Sequence, residues 1–171
     1  LGYNEDYAGV INSNGSHNLV MGADHDYDSF AGVFAGTANA SDAPYSLLSG
    51  TQNAISVPTG SSASSAAICG GHSNTVSGDF AAAVGGFGNT SGAPYAVAVA
   101  GTENTAGGLY AAVVGGESNI AGFDKTSVVG GENNGAYGEN ATAIGGAGNR
   151  ANGLSTLAAG GDSNTASGVM S

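Results

Sequence analysis

The chain has 171 residues, 32 of them Gly, with no Trp, 3 Pro and a net charge of -11 from 13 acidic against two basic side chains, Lys125 and Arg150. That balance excludes nucleic acid and anionic membrane as partners, since both are bound through clusters of Lys and Arg, and leaves cationic partners or plain solubility. Glycine without a Gly-X-Y period excludes collagen, periodic apolar residues argue against disorder, and the single Cys69 excludes an intrachain disulfide and a cysteine metal cluster.

The chain opens at Leu1 without the basic n-region of a signal peptide. No stretch approaches the roughly 18 apolar residues of a membrane span, so direct membrane insertion by this segment is not expected. It reads as part of something larger, or as a mature segment.

Residues 1–55 carry an irregular repeat. Gly22, Gly36 and Gly50 recur at a constant interval, and Asn39 and Asn53 follow their glycines by three, with His25 in the first such place. "DHDYD" sets Asp24, Asp26 and Asp28 at alternate positions around His25 and Tyr27. It has the look of the start of a calcium loop, but Ser29 stands where the sharp-turn Gly belongs and no Glu occupies the twelfth place. A solvated acidic turn is the expected reading, with cation binding as the alternative.

Next comes "SVPTGSSASS", residues 56–65, inside the longer step from Gly50 to Gly71. It reads as an inserted loop.

Residues 66–171 then repeat strictly. Gly71, Gly86, Gly101, Gly116, Gly131, Gly146 and Gly161 are 15 apart, and Asn74, Asn89, Asn104, Asn119, Asn134, Asn149 and Asn164 each follow by three. A unit this short has no room for a helix pair and suits one coil of a β-solenoid, two short strands with two tight turns. About ten coils of 14–15 residues, stacked at the strand spacing of about 4.7 Å, make a rod roughly 45 Å long. The Asn column predicts a ladder of side-chain amides hydrogen-bonding up and down the stack.

The first strand of each coil, as in Ala82-Ala83-Val84, Val97-Ala98-Val99, Ala112-Val113-Val114 and Leu157-Ala158-Ala159, is apolar without alternation. Such a strand is covered on both faces. One face points into its own coil; a second copy of the chain is the candidate cover for the other, because a core filled mainly by Ala and Val is thin. A closed homo-oligomer is expected. Cys69 falls in a slot equivalent to Val84, Val99 and Val114 and is expected to be a buried, quiet hydrophobe. The second strand, as in Thr75-Val76-Ser77, alternates and should be half-buried.

Two sets of turn residues vary from coil to coil. Just after the anchor glycine stand His72, Phe87, Glu117, Glu132 and Asp162, where His72 reads as an exposed bystander. Before the first strand stand Asp79, Asp124 and Glu139. There Phe30, Phe80, Tyr95 and Tyr110 align six places before their anchors, with Tyr45 one place off. The aromatics form either an exposed contact ridge or a cover for a subunit seam. No histidine lies in a motif that pairs it with a nucleophile, and repeats this uniform leave no singular cleft. An enzyme is not expected, and no cofactor or metal motif is evident.

"SVVGGENN" (residues 127–134) and "TAIGGAGN" (residues 142–149) resemble the S-V-A-I-G head repeats of trimeric autotransporter adhesins, the YadA-like, haemagglutinin-type surface proteins of Gram-negative bacteria. The unit here mostly has two glycines, and it is one position longer than the family's commonest form, which has a single glycine. The resemblance covers most of the chain and implies a left-handed parallel β-roll, residues 1–171 as a single head domain, and a homotrimer. It also implies an outer-membrane anchor outside this segment, and attachment to host cells or extracellular-matrix proteins as a virulence function. A structural trimeric fibre or spacer, such as a phage tail fibre, is the alternative. An ice-binding solenoid would need unbroken Thr ranks, which Ile120, Gly135 and Arg150 interrupt. If strand one is consumed by core and seam, recognition falls to the variable turns: Tyr95, Tyr110, Glu117, Glu132 and Glu139 are the candidate ligand-binding residues, facing a partner with basic segments.

Overall fold

A computed structural model describes residues 12–13, 16–56 and 65–170. Among them there is no helix. The chain winds into a parallel β-solenoid of about nine turns, close to the ten coils counted from the glycines. The inserted loop falls almost wholly on residues 57–64, outside the described residues.

Each regular coil follows from its own short sequence. In one of them, Ala111 N–H closes a tight turn on Gly108 O at 3.0 Å, and the chain then runs straight for Ala112–Val114. Gly115 and Gly116 turn it, Asn119 points inward, and Ile120–Ala121 makes the second strand. The first strands stack as a ten-stranded parallel sheet, here the front sheet, and the second strands as an eleven-stranded one, the back sheet. Register is in step: Ala82, Val97, Ala112, Ser127, Thr142 and Leu157 lie in one row.

The middle residue of each front strand points in. Ala83, Ala98, Val113, Val128 and Ala143 are fully buried, as are Val76, Ala106, Ala121, Ala136 and Ala151 of the back sheet. The Ala and Val interior expected from the sequence therefore holds from about Ala83 onward. Earlier coils are different. Tyr27, Phe34, Leu48, Ile55 and Ile68 fill the core there, with Tyr27 stacked on Phe34 at 5.0 Å between ring centroids. Room for the Phe34 ring comes from Gly32, where a Cβ would sit 2.7 Å from it.

The lengthening of the repeat by one position along the chain has a local cause. In the early coils the front strands Leu19–Ala23, Val33–Thr37 and Leu47–Thr51 run through their single glycine. At the next coil the pairing slips, Ser49 facing Cys69 while Thr51 faces His72, so the second glycine is a bulge. From Ala82–Val84 on, the front strands are short, ending before the paired glycines or, after Val97–Val99, before Ala100-Gly101. Pairing resumes beyond the bulge as single parallel bridges from His72 through Phe87, Thr102, Glu117, Glu132 and Ala147 to Asp162. The positions after the anchor, expected to be free turn, are thus a third in-register column.

The asparagines are the chief polar feature of the interior, buried from Asn39 to Asn149. They bond differently from the expected amide-to-amide ladder. Asn119 Oδ1 accepts the backbone N–H of Asn134 in the next coil at 2.9 Å, while its Nδ2 donates to Gly115 O at 3.1 Å and Gly131 O at 3.0 Å. Each amide thus clamps its own turn and the next coil's backbone. Direct amide contacts occur only beside this pattern, from Asn104 Nδ2 to Asn89 Oδ1 and from Asn164 Nδ2 to Asn149 Oδ1. Side chain to backbone is the better use of a buried amide, since the turn leaves main-chain groups that must be satisfied. Asn164, in the last described coil, is exposed.

On the back sheet Tyr137 covers its own coil. A Cβ on the buried Gly135 would lie 2.1 Å from the Tyr137 ring. Ile120 and Arg150 occupy the same row, so the backbone there admits a side chain and only the ring forbids it. Gly135→Ala is therefore expected to destabilise the protein by about 1–3 kcal/mol through overpacking, and by clearly less in a Tyr137→Ala background. Equal losses in the two backgrounds, measured by chemical denaturation, would contradict this packing.

Candidate functional site

The outer face of the front sheet is apolar and open. On the residue after each buried centre, Val114 is 46% exposed, Val129 43% and Ile144 43%, and in the row before it Leu47 is 42% and Leu157 51% exposed. The lack of alternation seen in the sequence therefore corresponds to one side in the core and one side bare in a single chain. Cys69 lies on this bare side. It is exposed, contrary to the buried slot expected, because the rows of Val84 and Val114 with which it aligns face outward rather than inward.

Two ridges border this face, one at each end of its strands. The first is aromatic. Phe80, Tyr95 and Tyr110 are exposed and stack in adjacent coils, at centroid separations of 5.3 Å and 4.9 Å with rings tilted by 7° and 16°. All three have left-handed backbone, φ 56° to 59°, which turns the chain into the front strand. Strand register corrects the sequence alignment of the earlier aromatics. Counted back from Leu47, which is in register with Ala67 and Ala82, Tyr45 is the equivalent of Phe80, and Phe30 is one place off. Tyr45 shares the same φ of 56°. Phe30 still meets it edge-on at 5.0 Å.

Beyond Tyr110 the aromatic column continues as Lys125, Asn140 and Ser155, all left-handed. Glu139, in the neighbouring column, pairs with Lys125 at 3.2 Å, both side chains more than half exposed. Asp124 accepts the backbone N–H of Leu109 at 3.0 Å, so this carboxylate shapes the turn.

The second ridge is the bridge column. Glu117 and Glu132 are adjacent in register and exposed, flanked by Thr102 and Ala147. Their backbones are about 4.7 Å apart, the spacing of paired strands, so two like charges face solvent together, partly relieved by the Asn133 amide donating to Glu132 Oε1 at 3.1 Å. His72, expected to be an exposed bystander, is half-buried and stacks on Phe87 at 5.4 Å with the rings 5° from parallel. The bridge column holds it in line with Phe87, and stacking follows.

The candidate ligand-binding residues thus fall into two groups that the fold keeps apart. Tyr95, Tyr110 and Glu139 lie on the aromatic side, Glu117 and Glu132 on the other, with the front strands between. The acidic stretch is split likewise. Asp26 and Asp28 face out beside Asp42 in a shallow groove floored by Ala40 and Ala54, while Asp24 sits in a left-handed turn and His25 is fully buried in the first asparagine slot. Among the described residues no group of three or more His, Cys, Asp or Glu side chains is placed to hold a metal ion. The role of His25 was legible as an Asn substitute. Its Nε2 reaches Met21 O, the same carbonyl four places back that Asn39 reaches at Ala35.

No family model and no curated protein matches the chain.

Proposed function

We propose that this chain is a non-enzymatic adhesive head segment, assembled as a homotrimer of left-handed rolls and carried on a bacterial surface by regions outside it. The observation that carries this reading is the bare, largely apolar outer face of the ten-stranded front sheet, bordered by variable side chains. An apolar surface of that length on a chain of net charge -11 calls for a cover of the same kind, and a second and third copy supply it with matched register. The solenoid framework then provides stability through Asn and Gly, and the ridges at the margins of the seam provide specificity, as loops on rigid cores do. Resemblance of the repeat to YadA-like heads supports the same assembly and its anchoring in the outer membrane. Host cell-surface or extracellular-matrix proteins with basic segments are the partners that fit an acidic ridge, through an attraction that salt weakens.

The test is attachment to host cells and matrix proteins. Glu117→Gln, Glu132→Gln and Glu139→Gln together are expected to reduce binding at low salt and flatten its salt dependence. Tyr95→Ser with Tyr110→Ser is expected to reduce binding at all salt concentrations. Wild-type attachment by both variants would remove the ridges as the binding surface, and absence of attachment by the unaltered protein would favour a structural fibre or spacer.

A further inference from the structure

We propose that Asn140 is an N-glycosylation site, taking a sugar from a nucleotide-linked or lipid-linked glycosyl diphosphate. The chain contains several Asn-x-Ser/Thr triplets, the pattern recognised for asparagine-linked sugars. Asn14-Gly15-Ser16 begins outside the described residues. The other three are Asn39-Ala40-Ser41, Asn89-Thr90-Ser91 and Asn140-Ala141-Thr142, and the fold separates them sharply.

Asn39 and Asn89 are ladder members, fully buried. Asn39 Nδ2 donates to Ala35 O and Gly50 O, and Asn89 Nδ2 to Gly85 O and Gly101 O. Their oxygens accept from Asn53 N–H and Asn104 N–H. A sugar on either nitrogen would displace those bonds and could not fit in the core. Asn140 belongs to a different column. It is exposed, stands in a left-handed turn at φ 60°, and is held by its backbone N–H donating to Asp124 O at 3.2 Å, which leaves the amide out of the ladder. Its neighbours along the column are Lys125 and Ser155, both exposed, and the Lys125 ammonium is drawn to Glu139. Thr142 opens the front strand Thr142–Ile144 two places on, half-buried in the same outward row as Leu157, so the sugar is transferred before the seam forms.

In the transfer, Asn140 Nδ2 forms a bond to the anomeric carbon as the bond from that carbon to the diphosphate oxygen breaks. The diphosphate departs with the electron pair, and the amide proton passes to a base of the transferase. The product adds bulk to a turn already in solvent, so the coil keeps its hydrogen bonds. It also places a sugar on the aromatic ridge, two coils from Tyr110.

Two production routes test the proposal. The chain is co-expressed with a soluble asparagine glycosyltransferase that uses nucleotide sugars, and separately secreted through a host with lipid-linked oligosaccharides. The folded protein is then analysed by intact mass and peptide mapping. The expected result is a sugar on Asn140 by at least one route, with the donor identified by which route succeeds. The mass shift should vanish in both Asn140→Gln and Thr142→Val, with melting temperatures matching the unmodified protein. Folded protein bare at Asn140 by both routes, or carrying sugar equally at Asn39 and Asn89, would overturn it. The readout is mass, so it stands or falls independently of attachment.

Discussion

Replacing Asn119 with Leu is expected to lower the unfolding free energy by about 2–4 kcal/mol per chain, from about 1–3 kcal/mol for one buried group left without a partner and a smaller loss at a part-buried one. Those groups are the Asn134 N–H, which loses its acceptor, and the Gly115 carbonyl, which loses its donor. Gly131 O suffers less, because Glu117 N–H also donates to it at 3.0 Å. Leu has as many side-chain heavy atoms as Asn, so no void opens, and its two methyl groups in place of a planar amide add overpacking to the lost hydrogen bonds. Chemical denaturation of the variant in mid-rod measures it. An unchanged midpoint would mean that these amides do not clamp the coils.

The paired glycines give an equally large and more discriminating contrast. At Gly116 a Cβ would stand 2.2 Å from Gly131 O and 2.5 Å from Asn119 Nδ2, main chain and ladder at once. Neither can retreat, since Gly131 O and Asn119 Nδ2 are bonded to each other and tie the two coils together. Gly116→Ala is expected to cost about 3 kcal/mol or more, at or above the top of the usual range for overpacking. At Gly115 nothing lies within 4 Å of where a Cβ would stand, and only the φ of 69° opposes a side chain. Ala100 already occupies the equivalent place at φ 55°. Gly115→Ala should therefore cost about 1–2 kcal/mol, the ordinary left-handed penalty. Thermal unfolding of the two single variants side by side checks the pair, and equal losses would contradict the coil-to-coil approach at the second glycine.

These two positions also show what could be read from the sequence. The solenoid was legible because stacking imposes the same demand on every coil, so Gly86 to Gly161 and Asn74 to Asn164 recur in step. The inward and outward rows of the front strand were less so. Ala82-Ala83-Val84 carries no alternation, and only the fold shows that Ala83 is inside while Val84 and its equivalent Cys69 are outside. Counting from the second glycine concealed the bulge, which is why Tyr45 and Phe30 exchanged places. Chemical identity of the ladder was visible, but its geometry was not: an Asn column is equally consistent with amides bonded to each other or to the backbone. The five ridge residues are all exposed. Their division into two groups, and the partnering of Glu139 by Lys125, depends on which end of the front strand each turn occupies.

Packing of the apolar front sheet against copies of the same chain is the claim on which the functional reading rests. Val114, Val129, Ile144 and Leu157, each 43–51% exposed in the single chain, would then lie within the seam. Multi-angle light scattering at micromolar concentration tests this most directly, on the unaltered protein and on Val114→Lys with Val129→Lys. Three times the chain mass is expected for the first, and dissociation or loss of folding for the second. A folded, stable monomer from the unaltered chain would contradict it.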